Sequence, residues 1–447
     1  MSSAAQAKTL YESHFSEMEK GGLPNGKAWI RNLRERAMAR FNELGFPTSR
    51  NEEWKYTDVA PIASTVFQPA RRVVDRVAAE AAARAAAKGI EACRLVFVNG
   101  YYESGLSSPR RSLEGVEIGS LAAALEGEGD WLEPHLARYA GYEERAFVAL
   151  NTALMGDGAV LYVPPGRILT VPIHLLFISV AGPEPAVSHP RILVVIGKGG
   201  QASIVESYVG VGEGAYLVNA VTEVVIGENG AAEHYKLQRD GERAYHVATL
   251  QAHLAGSANF MSHSVALGGA LTRNEINAVL DGEGCECTLN GLYLAGGEQH
   301  VDNHTRIDHV KPHGTSRELY KGVLDGKARG IFSGKIYVHK AAHKTDAKQT
   351  NKNLLLSRGA WVDTKPQLEI YNNDVKCSHG STIGQLDQDA IFYLRSRGIG
   401  VETARSLLTY AFASEVINRI KIEPMRAQLD RLLADKFQAD SPAEREP

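Results

Sequence analysis

The chain has 447 residues, 44% hydrophobic and 23% charged, the proportions of a folded protein with two or three structural units rather than a fibrous or disordered chain. Lys and Arg number 49 against 52 Asp and Glu, a net charge of −3, so no cationic excess is available for phosphates and nucleic acid is not an expected partner. The longest uncharged apolar run, 168–182, has 15 residues and contains Pro172, short of the roughly 20 that span a membrane.

Residues 1–20 carry Lys8, Glu12, Glu17, Glu19 and Lys20 where an export signal needs an apolar run, so the expected location is cytoplasmic. In that reducing compartment the four cysteines are buried small hydrophobes or reactive thiols, not a disulfide framework. Trp29, Ile30, Leu33, Ala37, Phe41 and Leu44 recur at helical spacing before Gly45 and Pro47, which predicts a helix. Ser49 followed by Glu52 fits a capping box, and the neighbouring Trp54, Tyr56 and Pro61 fit an ordered loop equally well. Residues 75–88 hold eight Ala in 14 positions and end at Gly89. Propensity favours helix there, but with so few large apolar groups it is expected to be solvated or to serve as a linker. Residues 1–90 read as a helical N-terminal domain.

Residues 91–190 read as a mixed α/β transition, with a strand and turn at Leu95, Val96, Phe97 and Val98 before Asn99-Gly100, and a return to helix over 121–139. Residues 191–395 contain only Pro312 and Pro366 of 17 prolines. Because proline removes a ladder donor, that scarcity suits a β core. Gly230, Gly241, Gly256, Gly269, Gly282, Gly297, Gly314 and Gly326 punctuate it every 11 to 17 residues. Strands are predicted at 216–226, 244–254, 259–267, 271–280, 285–294 and 331–339. This spacing fits a sandwich, a large barrel or a stacked β-helix, and no short repeat decides among them. Residues 396–447 return to a helical period through Val401, Ala404, Leu408, Ala411 and Phe412, then Val416, Ile417 and Ile420. Pro424 opens a second helix containing Leu429, Leu432 and Leu433, and the polar tail 438–447 is expected to fray.

Two glycine-rich segments mimic nucleotide-binding loops. Gly21-Gly22-Leu23-Pro24-Asn25-Gly26-Lys27 is followed by Ala28, which cannot supply the Mg²⁺-binding hydroxyl. Gly210-Val211-Gly212-Glu213-Gly214 leads into a strand where the dinucleotide fingerprint needs a helix. No nucleotide is therefore expected on this chain. Cys285 and Cys287 alternate along a strand, share a face with Leu289 and are expected to be buried. His300, Asp302 and His304 share one strand face, with His309 and His313 following. They are either metal ligands or, as their uneven spacing favours, a polar ladder between strands. His339 and His343 are four apart, but Ile336-Tyr337-Val338 reads as strand and no Glu follows His339, so no zincin-type site is expected.

The sharpest pair is Cys377 and His379. In an extended segment they face one side with Cα atoms ~6.6 Å apart, so both can reach one soft metal ion. Lys376 and His379 are expected to lower the Cys377 thiol pKa. Two ligands do not complete a site, and the rest must come from other strands or another subunit.

Five segments carry a family resemblance: Asn51-Glu52-Glu53-Trp54-Lys55-Tyr56-Thr57-Asp58, Asp302-Asn303-His304-Thr305-Arg306-Ile307-Asp308-His309, Arg329-Gly330-Ile331-Phe332-Ser333-Gly334-Lys335-Ile336, Val375-Lys376-Cys377-Ser378-His379-Gly380 and Phe392-Tyr393-Leu394-Arg395-Ser396-Arg397-Gly398-Ile399. Over most of residues 50–420 the chain resembles the SufB/SufD family of iron–sulfur cluster assembly scaffolds, and more its SufD branch than its SufB branch. The resemblance implies a mainly β chain, a right-handed parallel β-helix core flanked by N-terminal and C-terminal α-helical domains. It implies a scaffold rather than an enzyme, one subunit of a SufBC2D complex in which the partner SufC, an ABC-type ATPase, hydrolyses ATP. SufC docks on the C-terminal helical region in that family, which here means Arg397, Ile399, Val401, Ala404, Leu408 and Phe412. Clusters form at the interface with SufB, and the matching residues here are Cys377 and His379, His379 ranking first. That implies iron or a transient Fe-S cluster shared with SufB and a part in iron acquisition. A homodimer of the isolated chain is a further expectation. The competing readings are a structural β-helix platform without ligands and an exported carbohydrate-active β-helix enzyme, which would need clustered catalytic groups that the sequence does not offer.

Overall fold

The structure is a computed structural model that describes residues 3–20, 27–72, 75–108, 115–127 and 130–439. Residues 21–26 of the first glycine-rich motif and 440–447 of the tail lie outside the described residues, while Gln438 and Ala439, the first two residues expected to fray, end the helix Glu423–Ala439.

Two parallel sheets run side by side, and successive strands alternate between them. Tyr216–Ile226 lies in the first sheet, Ala231–Arg239 in the second, Tyr245–Leu254 in the first, and so on to Trp361–Ile370 and Lys376–Gly384. Each strand pairs in parallel with the strands one turn before and after it. Leu271 aligns with His300, then Arg329, then Trp361, and Glu286 aligns with Thr315, then Asp346, then Lys376. This pairing selects the stacked β-helix over a sandwich or barrel. Eight strand pairs form it, from Gly158–Val163 with Ile173–Val180 to the last turn. Some corners stack backbone on backbone: a Cβ on Gly282 would sit 2.1 Å from the Gly256 nitrogen, so only glycine fits there.

The interior holds a long apolar cluster that includes Ile192, Val194, Ile204, Val218, Leu250, Ile276 and Leu289, interrupted by buried polar groups such as Glu206, His234, Lys236 and His246. Both outer faces are also covered, which is why so many strands read as continuous apolar runs. On the first sheet, Leu217, Val247 and Leu271 pack beneath Tyr11, Ala37, Phe41 and Ile62 of the N-terminal helices, and beneath Phe147 and Leu150 of Ala146–Leu154. On the second sheet, Tyr235, Leu237, Val265, Leu292 and Leu319 pack beneath Ala413, Val416, Ile417, Met425, Leu429 and Leu433 of Val401–Ile417 and Glu423–Ala439. Among the described residues no helix is long and apolar enough to cross a membrane.

Three local expectations are corrected. Ser49 forms no capping box: Glu52–Trp54 is a 3₁₀ turn begun at Asn51 with no side-chain cap, and the Asn51 side chain instead accepts from the Thr48 N–H at 2.9 Å. The alanine-rich helix Arg76–Ala87 is no linker. Asp75 caps it by accepting from the Ala78 N–H, and Ala79, Ala83 and Ala86 pack on Val96, Val98, Leu176 and Ile178, small side chains letting the helix approach the sheet. Over 121–139 helix is limited to Leu121–Glu126. The turn at Asn99-Gly100 forms as read, both residues having positive φ.

Candidate functional site

Trp361–Ile370 and Lys376–Gly384 are the terminal strands of the two sheets. Each is paired along one edge, so the N–H and C=O groups of its other edge face outward. Trp361, Tyr371 and Ile383 are each more than half or half exposed, at 63%, 52% and 50%, large apolar groups of a kind that proteins keep for a covered surface.

This open turn holds the Cys377 and His379 pair. Lys376–Gly384 aligns with Asp346–Leu355 so that Cys377 stacks on Ala347 and His379 on Gln349. Cys377 packs inward with Ile336, Val338, Ala342 and Ala347. Strand alternation puts His379 on the same inward face and Lys376 and Ser378 on the other. Being in the terminal strand, Cys377 is half-buried and His379 is exposed. Burial pushes the Cys377 thiol up, and Asp346 adds to this against an opposing hydrogen bond from the Ala347 backbone. That corrects the expectation of a lowered pKa: Lys376 faces away, and desolvation dominates. The free thiol is therefore protonated at neutral pH, and a metal ion must displace that proton to bind. Among the described residues no group of three or more His, Cys, Asp or Glu side chains is placed to hold a metal ion.

The other candidates are already occupied. Cys285 and Cys287 are buried with Leu289, and the Cys285 thiol donates to the Ala255 carbonyl at 2.9 Å. His300, Asp302 and His304 sit on the outer face of the first sheet beneath the 52–57 segment. Arg273 donates to Asp302 at 2.6 Å, and the Thr57 hydroxyl donates to Asp302 at 2.5 Å and lies 2.9 Å from His300 Nε2. Trp54 covers the group, its ring 3.9 Å from the Arg273 guanidinium. His304 lies 3.0 Å from Asp302 and 3.4 Å from Glu53. Burial is the largest single influence and opposes its charge, but the Asp302 carboxylate and the hydrogen bonds to Asp302 and Glu53 together leave its pKa raised. The hydrogen bond from His304 in turn brings Glu53 down to about 2. This is the polar ladder of the two sequence readings, extended by an N-terminal strap. His309 hydrogen-bonds Ser316 at 2.9 Å inside the solenoid, His313 and His343 meet at a corner with ring centroids 5.5 Å apart, and half-buried His339 lies 3.9 Å from Asp308.

The C-terminal set divides. Ala404 is fully buried, and Leu408 and Phe412 pack on the second-sheet core, so this part of the helical stripe serves the chain itself. Arg397 and Val401 are exposed and Ile399 half-buried. The strongly exposed apolar groups nearby are Phe392, Tyr393 and Leu407, which the periodicity argument passed over because they lie off the apolar stripe.

Residues 177–412 match the SufBD core domain of SUF system FeS cluster assembly, and residues 1–175 match the SufBD protein N-terminal region. The chain is 35% identical over 406 residues to an iron-sulfur cluster assembly SufBD family protein of Synechocystis, covering 89% of each. It is 33% identical over 387 residues to the iron-sulfur cluster assembly protein SufD of Escherichia coli, covering 86% of this chain and 88% of that protein. SufD of Bacillus subtilis is 25% identical over 419 residues, covering 92% and 94%.

Proposed function

Since the chain belongs to the SufBD family of the SUF system, which assembles iron–sulfur clusters, we propose that it is a scaffold subunit whose open last turn supplies Cys377 and His379 to a cluster-building site shared with SufB. The observation that carries this reading is the position of the pair: two donors on the inward face of an unpaired terminal turn. Two donors fall short of the four that usually surround iron or zinc, so a second subunit stacked on the open edge would both pair the free strand edges and complete the ligand set. The cluster is cargo, built and passed on, and the raised Cys377 thiol suits a ligand that binds with proton release and lets go again.

Iron acquisition is assigned to His379 ahead of Cys377. ATP hydrolysis belongs to SufC, docked at the C-terminal helices around Arg397, Ile399 and Val401, together with the exposed Phe392, Tyr393 and Leu407. Isolated chains have the same open edge to offer one another, and a homodimer follows from that.

The test is His379→Ala in the complex reconstituted with SufB and SufC. The expected result is an assembled complex with a lowered cluster yield. An undiminished yield from an assembled complex overturns the shared site and leaves a structural platform.

A further inference from the structure

Polar side chains are buried at several levels inside the solenoid, and one column of them reaches its open end. In the second sheet the inward column that ends at His379 runs back through Gln349 and Glu318 to Leu289. Gln349 and Glu318 are 1% and 4% exposed. Glu318 accepts hydrogen bonds from Thr305 Oγ1 at 2.6 Å and from Gln349 Nε2 at 2.9 Å. The other end of that amide, Gln349 Oε1, is buried with no hydrogen-bond partner, and a buried orphan acceptor is rare enough to call for a role. The two ends of a primary amide point apart. Nε2 is directed to Glu318 and Oε1 is left unpaired, and the next residue of the column, one strand on in the last turn, is His379. Gly334 of the facing sheet makes room for this: a Cβ there would lie 2.2 Å from Gln349 Nε2.

The geometry points to Gln349 as a positioning residue for His379, its unpaired Oε1 available to accept one ring N–H when the imidazole turns in over the column, so that the other ring nitrogen is free for a metal ion, with Glu318 deciding which end of the amide is left free. This rests on the reading of Cys377 and His379 as the site. Metal-binding histidines commonly hold their tautomer by donating the second N–H to such an acceptor. When Glu318 is ionised, the carboxylate takes Nε2–H and Oε1 is left free for His379. When Glu318 is protonated, its O–H donates to Oε1, the amide turns over, and a donor is left for the imidazole instead.

Burial pushes Glu318 up to about 7, against the hydrogen bonds from Thr305 and Gln349, so both states are accessible at neutral pH. Its titratable neighbours are Cys287 and Tyr320, each pushed up by burial first and by Glu318 second. The inward residues of the facing sheet here, Thr305, Ile307, Phe332 and Gly334, are uncharged.

The experiment follows the tautomer ratio of neutral His379 in the metal-free, full-length chain by ¹⁵N-histidine NMR, with the resonance assigned through His379→Gln. In the unsubstituted chain the ratio is expected to shift several-fold as pH crosses about 7. Glu318→Gln should abolish that step, and Gln349→Met should give one pH-independent ratio. Variants whose other histidine signals are unchanged, but in which His379 still shows the step, overturn the inference. If Gln349→Met does not fold, persistence of the step in Glu318→Gln does so alone. Because no metal is present, a tautomer step combined with full cluster yield in His379→Ala would sink the shared site while leaving the hydrogen bond standing, and the reverse pattern would do the opposite.

Discussion

Two of the groups of histidine and acidic or thiol side chains on this solenoid meet opposite fates. On the first sheet, His300, Asp302 and His304 are covered by Glu53, Trp54 and Thr57: Asp302 is ion-paired with Arg273 and His304, and His300 meets Thr57. On the second sheet, Cys377 and His379 lie in a strand with one free edge. The first group is a fastener between the N-terminal segment and the core, and the second stands on the open last turn, for which a shared site is proposed above. Residue types alone do not separate them, since the first group is the richer in potential ligands. What separates them is whether the fold already pairs their charges and covers them.

The contrast can be broken most directly at the fastener. Arg273→Ala leaves Asp302 buried without its main counter-charge and is expected to cost about 3–5 kcal/mol, the usual penalty for removing one partner of a buried pair. Denaturant unfolding measures this, and a loss under about 1 kcal/mol would mean that the first group is not structural.

pH sharpens the same point. Glu53 has its folded pKa brought down to about 2, so its contribution is present above its unfolded value near 4.5 and is lost as pH falls toward 2. His304 has its folded pKa raised above 6.5, so its contribution is complete below 6.5 and fades as pH rises through the folded value. The strap is therefore expected to be firmest between about 4.5 and 6.5. Urea midpoints followed from that range down toward pH 2 and up past 6.5, compared between the unsubstituted chain and Glu53→Gln, check it. The variant should lose less stability on acidification, and parallel curves would refute the assignment.

The smallest effect belongs to the open turn. His379→Ala is expected to change stability by no more than about 0.5 kcal/mol, as for an exposed residue outside the packed core. A loss of 2 kcal/mol or more would place His379 among the structural groups instead.

Strands with an apolar rhythm were legible from the sequence: 216–226 and 271–280 match the observed Tyr216–Ile226 and Leu271–Leu280. Asp346–Leu355 was not, because its inward side chains Gln349, Asn351 and Asn353 are polar and buried, which erases the alternation that marks a half-buried strand. Architecture was undecided by glycine spacing because the pairing that defines it joins residues a whole turn apart, such as Leu271 with His300, and leaves no short repeat. Only the resemblance to known assembly proteins reached it. The shared face of Cys377 and His379 follows from strand period alone. The direction of the thiol pKa did not, since it depends on desolvation by Ile336, Val338 and Ala342, residues distant in sequence. Gln349 and Glu318 carried no motif at all, and only the register that stacks them beneath His379 brings them to notice.

The central claim is that this chain holds part of a cluster site and a partner holds the rest. Its most direct test is anaerobic reconstitution with iron and sulfide of the chain alone and of the chain together with SufB and SufC, comparing iron content and visible absorption. The account predicts a cluster only in the complex, lost on His379→Ala. A stable cluster on the chain alone would contradict it and would return Cys285, Cys287, His300 and His304 as the ligands to examine.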